Sequence, residues 1–383
     1  MKKVLIFGLA YYPRVGGAEV AIKEITDRLG DIEFHLITLR FSPADAAQER
    51  LGNVVVHRVG SGSASYVAKM LFIPRAAAAA ARLHAQEKFN AAWVMMSYML
   101  LPLYFARLNI PYVLTLQEGD TEAHMFGRLR ILPFLPFINR GFKNARVVQA
   151  ISTYLGEWAQ RRGFTGPLEI IPNGVDLARV EWFSNNPVGD RSIFWKNYNG
   201  GQVSVSDKIL ITTSRLVFKN AIDIIIKSLK FLPDNVKLFV LGEGPLLLEL
   251  KRLSEKLKLS DRVRFLGQVS NTKVVGYLHA ADVFVRPSRS EGMGNSFVEA
   301  MAAGLPVIAT REGGLADFIT PQVAWPVPKD SPEAVAEAVK TILGNPAHTA
   351  QVIARAKQLA FEKYDWDLIA RQMRERVFGR VLE

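Results

Sequence analysis

The chain contains no cysteine. Disulfides, thiol nucleophiles and cysteine-based zinc sites are therefore excluded, and the composition fits a reducing compartment. Histidine is scarce as well: His35, His57, His84, His124, His279 and His348 form no HExxH and no other paired metal spacing. The one D-x-D, Asp365-Trp366-Asp367, stands at the start of a helix-like segment. Carboxylates suit a helix N-terminus, so capping explains it better than a metal. No metal site is expected. Long apolar runs are missing too. The longest, residues 91–106, falls short of the roughly 20 residues that span a bilayer and is broken by Ser97 and Pro102. The opening MKKVLIFGLAYYPR has a short apolar run and no small-residue cleavage pattern, so it reads as a first strand rather than a leader.

What is present is a chain of 383 residues, 49% hydrophobic and 22% charged, which is the composition of a globular protein long enough for two domains. The net charge of +12 suggests an acidic partner: nucleic acid, an anionic membrane surface or a phosphorylated small molecule. Short apolar runs at 4–7, 35–39, 53–59, 91–96, 112–117 and 146–152 are largely separated by helix-like segments, the pattern of a mostly parallel α/β sheet. The alanine run at 76–81 is read as helix, because alanine is the best helix former. Periodicity lapses over an Asn-, Gly- and Ser-rich stretch and then resumes. The boundaries expected are a first domain over 1–185, a linker over 186–207 and a second doubly wound domain over 208–365.

Ligands of open α/β sheets bind outside the carboxyl ends of the strands, so the strand-to-helix turns hold the candidates. PRVGGAEVAIKEI places Gly16 and Gly17 before a helix, where backbone amides and the dipole favour an anion; a plain loop and cap is the other reading. SRLVFKNAID sets Arg215 and Lys219 at the mouth of a helix, against its dipole, a conflict that a phosphate between them would resolve. Two solvated side chains would also account for the pair. LGEGP shapes another turn around Gly242, but it lacks the GxGxxG spacing of a nicotinamide dinucleotide site. In SRSEGMGNSFVEAMAAGLPVIAT, Glu291 lies in a loop with Gly292 and Gly294, and Glu299 lies on the helix that follows. That helix is otherwise small and apolar, as a buried one is, so the two carboxylates read as a grip on two hydroxyl-bearing parts of one extended ligand.

In their order and spacing, GGAE at 16–19, IPNGVD at 171–176, SRLVFKNAID at 214–223, LGEGP at 241–245, FLGQV at 265–269 and the E-x7-E segment resemble the retaining nucleotide-sugar glycosyltransferases of family 4. The resemblance covers nearly the whole chain. It implies the GT-B architecture, an α/β fold of two facing Rossmann-like domains around a deep cleft, acceptor on the first and nucleotide sugar on the second, with residues 366–383 crossing back to the first. It further implies that Arg215 and Lys219 bind the donor diphosphate and neutralise it as it leaves, with Gly17, beside Gly16, approaching from the opposite domain. Glu299 takes the ribose hydroxyls, and Glu291 with the backbone from Gly292 through Met293, Gly294 and Asn295 to Ser296 orients the transferred sugar. The turns at Gly242 and Gly267 border the nucleobase. No metal or other cofactor is implied. The chain departs from the family in one place: where a histidine often stands near the reacting sugar, it has Gln117, which cannot act as a general base. The proton acceptor is then Asp120, Glu118 or the departing phosphate, with Asp120 preferred on the acceptor side and His124 close by in sequence.

Residues 124–148 carry Arg128, Arg130, Arg140, Lys143 and Arg146 with no acidic residue, interleaved with apolar side chains including Phe126, Leu129, Leu132 and Phe142. They read as a surface for an anionic bilayer, against the alternative of helices packed on the sheet. Many relatives glycosylate lipid-linked acceptors, which implies a cytoplasmic enzyme held at the inner face of the cell membrane, working on a lipid-linked or surface-glycan precursor. Two rivals stand beside the transferase reading. A nucleic-acid-binding protein fits the charge, but no such motif is present. A sugar-nucleotide epimerase shares the architecture, and forming an epimer from donor alone would single it out.

Overall fold

The computed structural model describes residues 1–186, 194–195 and 203–383. They divide into two compact units, Met1–Gly174 with Trp366–Glu383, and Val175–Asp365.

The first unit holds an eight-stranded sheet: β1 (Lys2–Phe7), β2 (Ile32–Leu39), β3 (Gln48–Leu51), β4 (Val54–Val59), β5 (Ala91–Met95), β6 (Tyr112–Leu116), β7 (Val147–Ala150) and β8 (Leu168–Ile170). Their order is β3-β4-β2-β1-β5-β6-β7-β8, parallel throughout except for the β3–β4 pair. Strands such as VLIF and AAWVM are buried on both faces, as parallel strands must be when helices cover them, which explains their nearly continuous apolar runs. β3 and β8 are the strands that the apolar runs did not signal: β3 is an exposed edge and β8 has three residues. The alanine run lies in the helix Tyr66–Glu87, with Ala76, Ala77, Ala79 and Ala80 buried.

Residues 366–383 complete this core. Trp366, Ile369, Met373 and Phe378 pack with Phe34 and Trp93, the Phe378 ring meeting Phe34 at 5.8 Å and Trp93 at 5.2 Å. Asp367, in the first turn of the helix Trp366–Gln372, accepts from Arg28 at 2.6 Å. That carboxylate is an ion-pair partner within the unit, in keeping with a structural role for the D-x-D.

The second unit holds β9 (Lys208–Thr213), β10 (Val236–Leu241), β11 (Val263–Gly267), β12 (Val283–Arg286), β13 (Val307–Ala309) and β14 (Trp325–Pro326), all parallel in the order β11-β10-β9-β12-β13-β14. Two details correct the expected boundaries. The helix Leu177–Asn185, assigned above to the first domain, belongs to the second unit, where it packs on the helix Asn271–His279 with Phe183 stacked 6.0 Å from His279. Trp195, expected in a linker, is fully buried in this unit, its indole N–H donating to the Ala280 carbonyl at 3.1 Å and its ring 4.4 Å from Phe239. The rest of the linker expectation lies mostly outside the described residues.

Candidate active site

In the second unit, every candidate stands at or just beyond the carboxyl end of a strand, as the parallel topology requires. β9 ends at Thr213, and the chain passes Arg215 before a single 3-10 turn, Phe218–Asn220, that carries Lys219. This turn is fastened from several sides. Asn220 donates its side-chain amide to the Arg215 carbonyl at 2.6 Å, and the Arg289 backbone N–H donates to the Lys219 carbonyl at 2.6 Å. The Arg289 guanidinium donates to the Phe218 carbonyl at 2.8 Å, forks onto both oxygens of Asp223 at 2.9 Å and reaches Asp330 at 2.6 Å. It also lies over the Phe218 ring, 4.2 Å from the centroid. Burial opposes the Asp223 charge, but the bonds from Arg289 and Lys227 outweigh it and hold its carboxyl below the usual range. Arg289 was missed by the sequence reading; its only signal was a second arginine inside the SRSEG loop. By contrast, Arg215 is exposed, Lys219 is half-buried, and neither has an ion-pair partner among the described residues. Both cations are thus left without a counter-ion among the described residues, Arg215 just before and Lys219 on a turn that is tied down from several sides.

The neighbouring turn explains its glycines internally. Gly242, at φ +133°, lies so close to the β9 turn that an added Cβ would stand 1.9 Å from the Ser214 carbonyl oxygen. Its N–H donates to the Gly267 carbonyl at 2.7 Å, which ties the ends of β10 and β11 together. The structure thus brings Gly242 and Gly267 into contact, and the requirement for glycine at 242 comes from the protein's own backbone.

The loop after β12 is set by a residue that the sequence reading also passed over. Arg286 ends an otherwise apolar strand and is buried, and its Nη2 donates to Glu291 Oε2 at 2.9 Å. The other oxygen of Glu291 accepts from the Gly292 N–H at 3.2 Å, and its carbonyl accepts from Gly314 at 2.9 Å. Glu291 is therefore fixed through both backbone and side chain. Gly294 at φ +84° starts the helix Asn295–Ala302, which brings Asn295, Ser296 and Glu299 onto one short element, while Met293 is buried beneath it. Glu299 is half-buried. Desolvation pushes its carboxyl up, against the pull of Arg286 and Arg179.

In the first unit the candidates are mostly satisfied from within. Gly16 and Gly17 are exposed at the start of the helix Gly17–Arg28, but the Gly16 N–H already donates to Glu19 of the first turn at 2.8 Å. Gln117 and Asn173 exchange side-chain amide hydrogen bonds of 3.1 and 3.0 Å, which joins the end of β6 to the loop after β8. Glu118, expected on the acceptor side, lies inside the fold. It is fully buried, its oxygens accept from the backbone N–H of Ser97 at 2.7 Å and of Gln117 at 3.0 Å, and burial pushes its carboxyl up. These bonds tie the turn after β6 to the Ser97 backbone. Asp120 is half-buried and has no hydrogen bond or ion pair among the described residues, while His124 is exposed in the helix Glu122–Phe126.

Elsewhere in this unit, His35 lies 3.0 Å from His57 and 2.8 Å from Glu33, with Glu87 close enough for the three to share an ion. The Lys3 ammonium stands 2.6 Å from Glu87 and 3.6 Å from Glu33, so a cation already neutralises those carboxylates.

Residues 15–179 match the family described as Glycosyltransferase Family 4, and residues 195–359 match Glycosyl transferases group 1. The chain is 27% identical, over 99% of both proteins, to a GDP-mannose-dependent alpha-(1-6)-phosphatidylinositol monomannoside mannosyltransferase of Mycobacterium tuberculosis. It is 24% identical to the alpha-monoglucosyldiacylglycerol synthase of Streptococcus pneumoniae, over 80% of this chain and 70% of that one. An uncharacterized glycosyltransferase of Methanocaldococcus jannaschii is 30% identical over 54% of this chain and 52% of its own length. Among solved structures, the sucrose-phosphate synthase of Thermosynechococcus elongatus matches with a TM-score of 0.84 at 20% identity, covering 99% of each chain. Anabaena HepE in complex with UDP and glucose matches with a TM-score of 0.80 at 19% identity, covering 99% of this chain and 100% of that one. With both of its halves matched, the chain belongs to the family 4 glycosyltransferases of GT-B fold.

Proposed function

We propose that the protein moves a hexose from a nucleotide-diphosphate sugar to a hydroxyl of a lipid-linked or surface-glycan precursor, with retention of configuration and without a metal. The observation that carries this reading is the unpaired state of Arg215 and Lys219 on a turn clamped by Arg289, beside a loop in which Glu291 is fixed. Two cations with no protein partner neutralise a diphosphate as its charge develops, a role that calls for no metal ion. Glu299 accepts from the ribose hydroxyls and Glu291 from those of the hexose. The bond from the anomeric carbon to the diphosphate oxygen breaks, and a bond to the acceptor oxygen forms on the same face. The acceptor's proton passes to the departing phosphate oxygen or to Asp120.

An anionic membrane at the inner face of the cell membrane completes the proposal. Tyr66, Val67, Met70 and Leu71 are exposed at the start of the helix Tyr66–Glu87, which packs on the helix Leu100–Ala106 carrying the exposed Tyr104 and Phe105. Phe137 packs on both of these rings, at 4.9 and 6.1 Å, and the Arg130 guanidinium lies 5.7 Å from the Tyr66 ring centroid. With Leu129 85% exposed and Leu132 exposed, apolar and basic groups share one face of this unit. Phe126, Ile138 and Phe142 of the same stretch are buried, so the alternative of packing on the sheet holds for them. Among the described residues, no helix is long and apolar enough to cross a membrane.

The test is thermal-shift screening against UDP, GDP, ADP and their common sugar conjugates. A ligand at 100 times its dissociation constant stabilises by about 2.7 kcal/mol. Selective stabilisation by one nucleotide is expected and names the donor class; no response to any of them overturns the reading. Turnover unchanged by EDTA is expected as well.

A further inference from the structure

Arg286 is 5% exposed and sits where β12 hands over to the loop of Glu291. Its Nη1 donates to the Thr213 carbonyl at 2.9 Å and to Ser296 Oγ at 2.7 Å, its Nη2 donates to Glu291 Oε2 at 2.9 Å, and its plane lies 4.2 Å from the Phe297 centroid. One planar group thus joins three turns: the end of β9, two residues before Arg215; the Glu291 loop; and the start of the helix carrying Glu299. Its Nε has no hydrogen-bond partner among the described residues.

Stability alone is a poor reason for such an arrangement. Removing a guanidinium from water is costly, and a well-packed apolar side chain commonly replaces a buried ion pair without loss. What an apolar side chain cannot do is hold a carboxylate in one orientation by a directed, charge-assisted bond. Glu291 is held in just this way, with one oxygen on Arg286 and the other on the Gly292 amide, and each oxygen keeps a lone pair for a further donor.

We propose that Arg286 is a positioning residue that aims the Glu291 carboxylate at the hydroxyls of the transferred sugar, so that it governs recognition of the sugar end of the donor and not of the nucleotide. The proposal rests on the nucleotide-sugar reading above. Arg286 acts through Glu291 and through the helix N-terminus at Ser296, without touching the reacting atoms. Its effect is therefore separable from that of the diphosphate cations, which carry the nucleotide.

The experiment compares wild type, Arg286→Met, Arg286→Lys, Glu291→Gln and the double variant Arg286→Met/Glu291→Gln. Each is measured for melting temperature, for affinity towards the nucleoside diphosphate and towards the nucleotide sugar that stabilise wild type, and for turnover. Loss of an aimed charged hydrogen bond predicts roughly a tenfold or greater fall in nucleotide-sugar affinity and kcat/KM, with nucleoside diphosphate affinity held within about twofold. The double variant is expected to be no worse than Glu291→Gln alone, because the two residues act as one unit. Arg286→Lys keeps the charge but not the fork, so it too should lose the discrimination, and it serves if the methionine variant does not fold. Equal losses for both ligands, or effects that add to those of Glu291→Gln, overturn the proposal in favour of a prop for the fold. A wild type that binds nucleoside diphosphates but no nucleotide sugar overturns the reading beneath it, whatever the variants do.

Discussion

The two units treat their candidate residues in opposite ways. In the second, Arg289 and Glu291 are tied to their neighbours while Arg215 and Lys219 have no ion-pair partner among the described residues. In the first, Gly16 already meets Glu19, Gln117 meets Asn173 and Glu118 meets two backbone amides. Charge left without a protein partner on a support that is tied down is what the proposed diphosphate role calls for. The sharpest way to break this contrast is Lys219→Ala. If Lys219 neutralises a leaving diphosphate, its removal should lower kcat/KM by about 10²–10³-fold, while the melting temperature stays close to wild type because the Lys219 side chain has no bonding partner among the described residues. A near wild-type rate in a steady-state assay would show that the cation does not serve the departing group.

Within the first unit the same contrast separates two neighbouring carboxylates. Asp120→Asn should lower kcat by roughly tenfold to a hundredfold if the side chain takes the acceptor's proton, with the melting temperature unmoved. Glu118→Gln should do the reverse: kcat stays within about twofold, and stability falls by about 1–3 kcal/mol as a buried amide N–H loses its acceptor. Calorimetry and initial rates on the two variants decide the matter. If Glu118→Gln proves the slower enzyme, the division between a structural and a reactive carboxylate is wrong.

Most of the fold was written in the pattern of apolar runs, because strands covered by helices on both sides are apolar nearly throughout. β3, β8 and β14 escaped that pattern, since edge strands of four, three and two residues carry little of it. The boundary was placed late because the helix Leu177–Asn185 follows the first sheet in sequence yet packs with the second unit, through Phe183. Motif spacing placed Arg215, Lys219 and Glu291 in strand-to-helix connections and Glu299 on the helix after the last of them, where they stand. It could not reveal Arg286 or Arg289, because what distinguishes them is which carboxylates and carbonyls they meet, and those partners are fixed only by the tertiary fold. It preferred Asp120 to Glu118 but gave no sign that Glu118 lies fully buried with both oxygens bonded, while Asp120 has no partner among the described residues.

The smallest effect belongs to the exposed face of the first unit, which separates where the enzyme sits from what it does. Basic side chains near an anionic surface contribute about 1 kcal/mol each, so replacing Arg128 or Arg130 with Ser should weaken binding to phosphatidylglycerol-containing vesicles by about fivefold per residue. Leu129→Ser should weaken it too, since an 85% exposed leucine contributes nothing to the core and can only gain from an apolar surface outside the protein. Phe126→Ser is the control: that ring packs at 5.8 Å on Trp158 and 6.4 Å on Phe142, so the substitution should lower the melting temperature instead. Co-sedimentation with vesicles, followed by nucleotide binding on the same samples, distinguishes the possibilities. If Arg128→Ser and Leu129→Ser leave sedimentation unchanged, this face is ordinary surface, and the acceptor must be sought in solution rather than at a bilayer.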